Sequence, residues 1–152
     1  MHLVLVSKDN IHELDRAMDM IFDQWGDGFS SSKESKLNKI KSLILSDAEF
    51  PKVYLLKEGK KYIGSFSILD HELEGSQLSP WLACVVIDKQ YRGKGYGTIL
   101  LEHIKKIIDE NNLEIYLTTK LIGFYEKIGF ELLQIIDNNG KNNRLYVKIR
   151  GS

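Results

Sequence analysis

The chain has 152 residues, 43% of them hydrophobic and 28% charged, with 21 Lys plus Arg set against 21 Asp plus Glu. Those values fit one soluble globular domain, expected over residues 1–150, and argue against extensive disorder. Zero net charge leaves no positive surplus to neutralise a run of phosphates, so nucleic acid is not expected as a main partner.

Leu3 to Val6 opens the chain as a short apolar strand, and Asn10 is placed to cap a helix in which Ile11, Leu14, Met18, Ile21, Phe22 and Trp25 recur at helical spacing. Trp25 to Ser32 reads as a loop. Leu37, Ile40, Leu43 and Ile44 then mark a second helix, whose lysines at 33, 36, 39 and 41 read as a solvated face. Val53 to Leu56 and Tyr62 to Leu69 are β-rich runs joined by the tight connection Glu58-Gly59-Lys60-Lys61, a hairpin.

Trp81 to Ile87 is apolar on both faces, as a central strand would be. After a glycine-rich segment, Leu100, Leu101, Ile104, Ile107 and Ile108 form one helical stripe stopped by Asn111-Asn112. Glu114 to Thr118 is the next strand. A short helix from Leu121 to Ile128 ends at Gly129, and the strands Phe130 to Ile136 and Leu145 to Ile149 flank an Asn138-Asn139-Gly140 turn. The order β-α-α-β-β-β-α-β-α-β-β describes a mixed α/β layer fold without internal repeat.

Cys84 is the only cysteine, so no intrachain disulfide forms and a cytoplasmic location is expected. The apolar run Leu82 to Ile87 is far below the roughly 20 residues of a membrane span, and no leader pattern opens the chain, so no membrane association is expected. His2, His12 and His103 lack paired ligand spacing, and no metal site is expected. Gly151-Ser152 reads as an expression scar.

The segment from Gln90 to Thr98 joins a buried strand to an amphipathic helix, where backbone N–H groups lack partners. Glycines at 93, 95 and 97 remove the Cβ atoms that would keep an anion away, and the helix dipole adds roughly 0.3–1 kcal/mol of attraction per charge. A pyrophosphate is the natural occupant. The third glycine of a dinucleotide fingerprint is missing, since Thr98, Ile99 and Leu100 follow Gly97; a P-loop would need glycine at Asp88 and Ser or Thr at Gly95.

Arg92-x-x-Gly95-x-Gly97 resembles the acetyl-CoA signature of the GNAT acetyltransferase superfamily, Arg/Gln-x-x-Gly-x-Gly/Ala. Gly123-Phe124-Tyr125-Glu126-Lys127-Ile128-Gly129-Phe130 is similar to its Tyr-Glu-Lys-Leu-Gly-Phe motif. The resemblance implies a largely antiparallel mixed sheet with helices on both faces and an N-acetyltransferase that moves acetyl from acetyl-CoA directly to a primary amine of a small molecule or peptide. A non-catalytic acyl-CoA-binding regulatory module is the alternative. By the same resemblance, amides of Gly93, Lys94, Gly95, Tyr96, Gly97 and Thr98 hold the pyrophosphate with Arg92 beside it. The strand stretch Val85, Val86 and Ile87 meets the pantetheine arm, and Tyr125 is the acid that protonates the departing thiolate.

Many family members place a Glu on the fourth strand as base, yet Trp81 to Ile87 contains no carboxylate. Asp70, His71 and Glu72, at the end of the third strand, are the candidates instead. The family also implies that the Trp25–Ser32 loop lines the acceptor cleft, with Trp25 and Phe29 as an apolar wall or as core closure. Cys84 reads as inert packing. Pairing through an exposed edge strand would give a homodimer.

Overall fold

The structure is a computed structural model that describes residues 1–73, 75–138 and 141–149. Its strands are β1 (His2–Leu5), β2 (Lys52–Glu58), β3 (Lys61–Leu69), β4 (Trp81–Ile87), β5 (Glu114–Thr119), β6 (Glu131–Asn138) and β7 (Lys141–Ile149); its helices are α1 (Leu14–Trp25), α2 (Lys33–Leu45) and α3 (Tyr96–Glu110). The expected order holds, with one correction. The helix expected from Leu121 to Ile128 is a single 3-10 turn, Tyr125–Ile128, because Gly123 at φ +85° and Gly129 at φ +100° confine it. The expected turn at 138–140 has residues 139 and 140 outside the described residues.

A second correction concerns the start of α1. Ser7, not Asn10, is the cap, and it opens a 3-10 turn over Lys8–Glu13 by accepting from the Asp9 amide. Asn10 answers by taking the Ser7 amide on its side-chain oxygen at 2.6 Å, a reciprocal capping box. Asn10 alone was the expected cap, and it is the pairing of the two side chains that shows Ser7 begins the turn.

The chain parts into two compact units, Met1–Ile68 with Cys84–Leu100, and Leu69–Ala83 with Leu101–Ser152. In the first, Leu14, Ala17, Met18 and Ile21 line up on one face of α1. They join Val6, Ile44, Val53, Leu55 and Val86 in one buried cluster. Burying each large aliphatic side chain stabilises by about 1.5–3 kcal/mol, so this stripe is what holds α1 in place. β1, β2 and β3 form an antiparallel meander, and the β2–β3 hairpin turns at Gly59, whose φ of +59° favours glycine.

Gly64, inside β3, is needed for a different reason. A Cβ there would lie 2.7 Å from the Val86 carbonyl oxygen and 3.0 Å from Ile87 Cδ1. Gly64→Ala, which in an ordinary strand stabilises by about 0.5–1 kcal/mol, is therefore expected to cost about 1–3 kcal/mol. Urea unfolding reads that directly, and a midpoint equal to or above wild type would contradict the close approach.

The same unit buries a carboxylate. Glu13, 7% exposed, accepts from Lys57 Nζ at 2.6 Å and the Tyr62 hydroxyl at 2.8 Å on one oxygen, and from Asn10 Nδ2 at 3.1 Å on the other. Burial alone would raise its pKa, but the bonds from Lys57, Tyr62 and Asn10 outweigh it and leave the carboxyl below its ordinary value. A folded-state pKa below the unfolded one means stability that is complete above the unfolded value and lost as pH falls through the folded one. Glu13→Ala should cost about 3 kcal/mol at pH 7 by stranding Lys57. Unfolding measured from pH 7 to pH 3 should show a smaller acid loss for Glu13→Gln than for wild type; equal slopes would contradict this.

In the second unit, β5 pairs antiparallel with β7, and β7 with β6. β4 meets β5 in parallel at Trp81↔Tyr116. Because β4 carries residues of both units, the strand order reads β1-β2-β3-β4-β5-β7-β6, a seven-stranded and mostly antiparallel sheet. Leu101, Ile104 and Ile108 of α3, Ile115 and Leu117 of β5, and Leu145 and Tyr146 of β7 are all buried. Lys148 is buried too, its ammonium 3.6 Å from Asp109 of α3. No helix among the described residues is long and apolar enough to cross a membrane.

Candidate functional site

The corner between β4 and α3 is assembled from local bonds. The Asp88 amide donates to the Ile63 carbonyl at 2.8 Å, fixing the end of β4 beside β3. The Asp88 carboxylate then accepts from the Gln90 amide at 3.0 Å, and its carbonyl from the Tyr91 amide at 2.9 Å, which closes the 3-10 turn Lys89–Tyr91. Past this turn the chain needs positive φ twice, +77° at Gly93 and +86° at Gly95, and α3 begins at the next residue, Tyr96. Gly93, Lys94 and Gly95 are exposed, and a Cβ on either glycine would meet nothing within 4 Å. The backbone thus presents an open face just ahead of a 15-residue helix whose first amides have no intrahelical acceptor.

Arg92 turns back rather than outward. Its Nε donates to the Ile87 carbonyl at 2.9 Å and its terminal nitrogen lies 3.8 Å from Asp23 Oδ2; Lys89 reaches the other Asp23 oxygen at 3.5 Å. Asp23, on α1, was not singled out in the sequence, which carries no signal for a partner so distant along the chain. Arg92 clamps the corner to the end of β4 and to Asp23 of α1.

In β4, Val86 is buried while Val85 and Ile87 are half-buried. Cys84 adopts φ +54°, the left-handed region, in the middle of the strand. For a non-glycine residue this costs roughly 1–2 kcal/mol, and such strain persists where the surroundings over-determine it. Apolarity alone gave no hint of it, since the sequence reads as an unbroken strand.

Tyr125 sits in the second unit, 7% exposed, its ring edge-on to Phe124 at 5.0 Å and to Phe130 at 5.9 Å between centroids. Burial pushes its phenol up to about 12. It is therefore protonated across the whole physiological range, a state in which its hydroxyl can donate.

The three candidate bases lie in the segment after β3. The Ser79 hydroxyl donates to Asp70 Oδ1 at 2.9 Å, and His71 Nε2 lies 3.2 Å from Asp70 Oδ2. Asp70 and His71 thus meet each other on an open surface, and Glu72 is likewise exposed. Trp25 and Phe29 have separate fates. Phe29 packs on Phe22 at 4.8 Å with the Lys36 ammonium 4.7 Å from its ring centre, which makes it core closure, whereas Trp25 stays 38% exposed at the end of α1. Among the described residues, no group of three or more His, Cys, Asp or Glu side chains is arranged to hold a metal ion.

A family model for the acetyltransferase (GNAT) domain matches residues 50–132, a span that contains both the glycine corner and the Tyr125 turn. The chain belongs to the GNAT acetyltransferase family. The amino-acid acetyltransferase of Pasteurella multocida (strain Pm70) is 34% identical over 67 residues, 43% of this chain, and the chain spans only 15% of that relative's length. Among solved structures, the aminoglycoside 6'-N-acetyltransferase from Enterococcus faecium superposes with a TM-score of 0.71 at 15% identity, covering 98% of this chain and 97% of that one. An aminoglycoside 6'-N-acetyltransferase complexed with coenzyme A gives the same TM-score, 0.71, at 15% identity, with 98% and 97% covered. Identities this low establish a shared fold.

Proposed function

We propose that the chain transfers acetyl from acetyl-CoA directly to a primary amine of a small molecule or peptide. The observation that carries this reading is the open, doubly left-handed glycine corner ahead of α3, with Arg92 clamped at its base. Amides from Gly93 through Thr98 bind the pyrophosphate, and Lys94 and Arg92 supply positive charge. Val85 and Ile87 hydrogen-bond the pantetheine arm through their backbone, with Val86 anchoring the strand in the core. Backbone N–H in this stretch polarises the acetyl carbonyl as the amine attacks. Tyr125 gives its proton to the departing thiolate and is reprotonated from solvent.

The acceptor sets the demand for a base. An amine of pKa about 10.4 needs roughly 4–5 kcal/mol to lose its proton at pH 7, an α-amine near 7.7–8.0 only about 1–1.4 kcal/mol. β4 supplies no carboxylate, so His71, held by Asp70, is the proposed base where one is needed. The similarity to proteins named as an amino-acid acetyltransferase and an aminoglycoside 6'-N-acetyltransferase supports small-molecule amines as the first acceptors to try. A cytoplasmic location fits a chain whose single cysteine, Cys84, forms no disulfide. Leu132, Leu133 and Ile135, exposed on the strand at the end of the order, form the surface through which a homodimer would pair, and a doubled mass in solution tests it.

The missing strand carboxylate also favours a second reading, a module that binds acyl-CoA without turning it over. Release of CoA thiol from acetyl-CoA, screened across amino acids, polyamines, aminoglycosides and peptide N-termini, separates the two. Turnover with at least one class, lost in Gly95→Glu, is expected; binding of acetyl-CoA with no acetylated product from the whole panel would establish the module.

A further inference from the structure

The turn that carries Tyr125 is secured unequally at its two ends. At the C-terminal end the backbone suffices: the Gly129 amide donates to the Glu126 carbonyl at 3.1 Å and the Phe130 amide to the Tyr125 carbonyl at 3.3 Å. At the N-terminal end the capping position is Phe124, which has no side-chain acceptor to offer. Glu126 supplies it from inside the turn. Both of its carboxylate oxygens accept from the Gly123 amide at 3.1 Å, and Oε2 also accepts from the Tyr146 hydroxyl at 2.9 Å.

Tyr146 is a fixed point. It is 1% exposed in β7 and lies opposite Leu117 of β5 on one side and Leu132 of β6 on the other. Through Glu126, then, the N-terminal side of the turn is tied to β7. Burial would raise the Glu126 pKa, but its backbone bonds, the Tyr146 hydroxyl and the nearby Arg144 charge together bring it below its ordinary value, so it is an ionised acceptor at neutral pH.

We propose that Glu126 is the positioning residue for Tyr125, holding the phenol in its donating orientation by joining the Gly123 amide and the Tyr146 hydroxyl across one carboxylate. This rests on the reading of Tyr125 as the proton donor. Glu126 touches no reacting atom. Its loss frees Gly123, which at φ +85° has no side chain to resist rotation, and lets the Tyr125 ring sample other angles between Phe124 and Phe130.

The test is a cycle of Glu126→Ala, Glu126→Gln and Tyr125→Phe, read by CoA thiol release from acetyl-CoA in buffer alone and with L-glutamate, spermidine or kanamycin, and by hydrogen exchange at the Gly123 amide. Glu126→Ala is expected to lower kcat about 10-fold with KM for acetyl-CoA unchanged, and to speed Gly123 exchange by a similar factor. Glu126→Gln should recover to within about threefold, because its carbonyl still accepts from Gly123 and its amide can donate to the Tyr146 oxygen. In the Tyr125→Phe background, Glu126→Ala should change kcat by less than about twofold. An equal loss in both backgrounds, or faster Gly123 exchange with kcat untouched, overturns the positioning role. Full turnover in Tyr125→Phe alone is a different failure, which removes Tyr125 from the chemistry and the inference with it.

Discussion

Gly95→Glu is expected to weaken acetyl-CoA binding by at least about 100-fold while the protein stays folded, about 2.7 kcal/mol lost at the site alone. Two effects combine. At φ +86° any L-residue pays roughly 1–2 kcal/mol of backbone strain. The new carboxylate also stands at the N-terminus of α3, where the helix dipole and free amides are arranged for an anion, and it occupies and repels the place of the diphosphate. The fold survives because a Cβ at Gly95 meets nothing within 4 Å, so no core contact is displaced. Calorimetric titration with acetyl-CoA and a thermal melt check both halves. Gly95→Ala serves as the strain-only control and should lose far less affinity. Equal losses for Ala and Glu would show that conformation, not charge, governs the corner.

Tyr125→Phe is expected to lower turnover by about 10²–10⁴-fold with acetyl-CoA affinity within about twofold of wild type. The ring contacts with Phe124 and Phe130 persist in phenylalanine, so the hydroxyl alone is removed. Reference values place a phenol about 1.5 units above a thiol, a deficit of roughly 2 kcal/mol. In the folded chain the phenol is pushed up to about 12. Against a thiol near 8.5 the deficit becomes about 3.5 units, or roughly 5 kcal/mol. That is a large share of the ~16 kcal/mol barrier of a typical enzyme, so Tyr125 acts first as a hydrogen-bond donor to charge growing on sulfur and completes proton transfer late. One consequence concerns pH. A group protonated up to about 12 contributes no alkaline fall in kcat below about pH 10.5, so any basic limb seen there belongs to another group.

What could be read from the sequence, and what could not, divides along the distance over which each feature is determined. The α1 stripe, the Gly59 hairpin and the alternate glycines of the corner are local, and periodicity or glycine placement exposed them before any coordinates. The second motif was equally legible, down to Gly129 as the left-handed stop. The failures are non-local or reciprocal. Asn10 and Ser7 each carry cap chemistry, and only their mutual bond shows that Ser7 starts the turn. The helix expected from Leu121 is one turn because Gly123 and Gly129 bound it at positive φ, and the Glu126 carboxylate accepts from the Gly123 amide, a bond that propensity does not encode.

Arg92 illustrates the same limit within the site. Its motif marks it as the cation of the corner, yet its Nε is spent on the Ile87 carbonyl and its charge is shared with Asp23 from a helix some seventy residues earlier. Gly64 did leave a trace, as a lone glycine in a β-rich run, the usual mark of a close backbone approach. Cys84 left none: nothing in its apolar run marks the left-handed φ.

The most direct test is a crystal of the protein soaked with coenzyme A. The diphosphate oxygens should lie within hydrogen-bond distance of amides between Gly93 and Thr98, with Gly93 and Gly95 keeping positive φ. Density for the coenzyme elsewhere, or a corner left bare at saturating coenzyme, would contradict the assignment of this corner as the acetyl-CoA site.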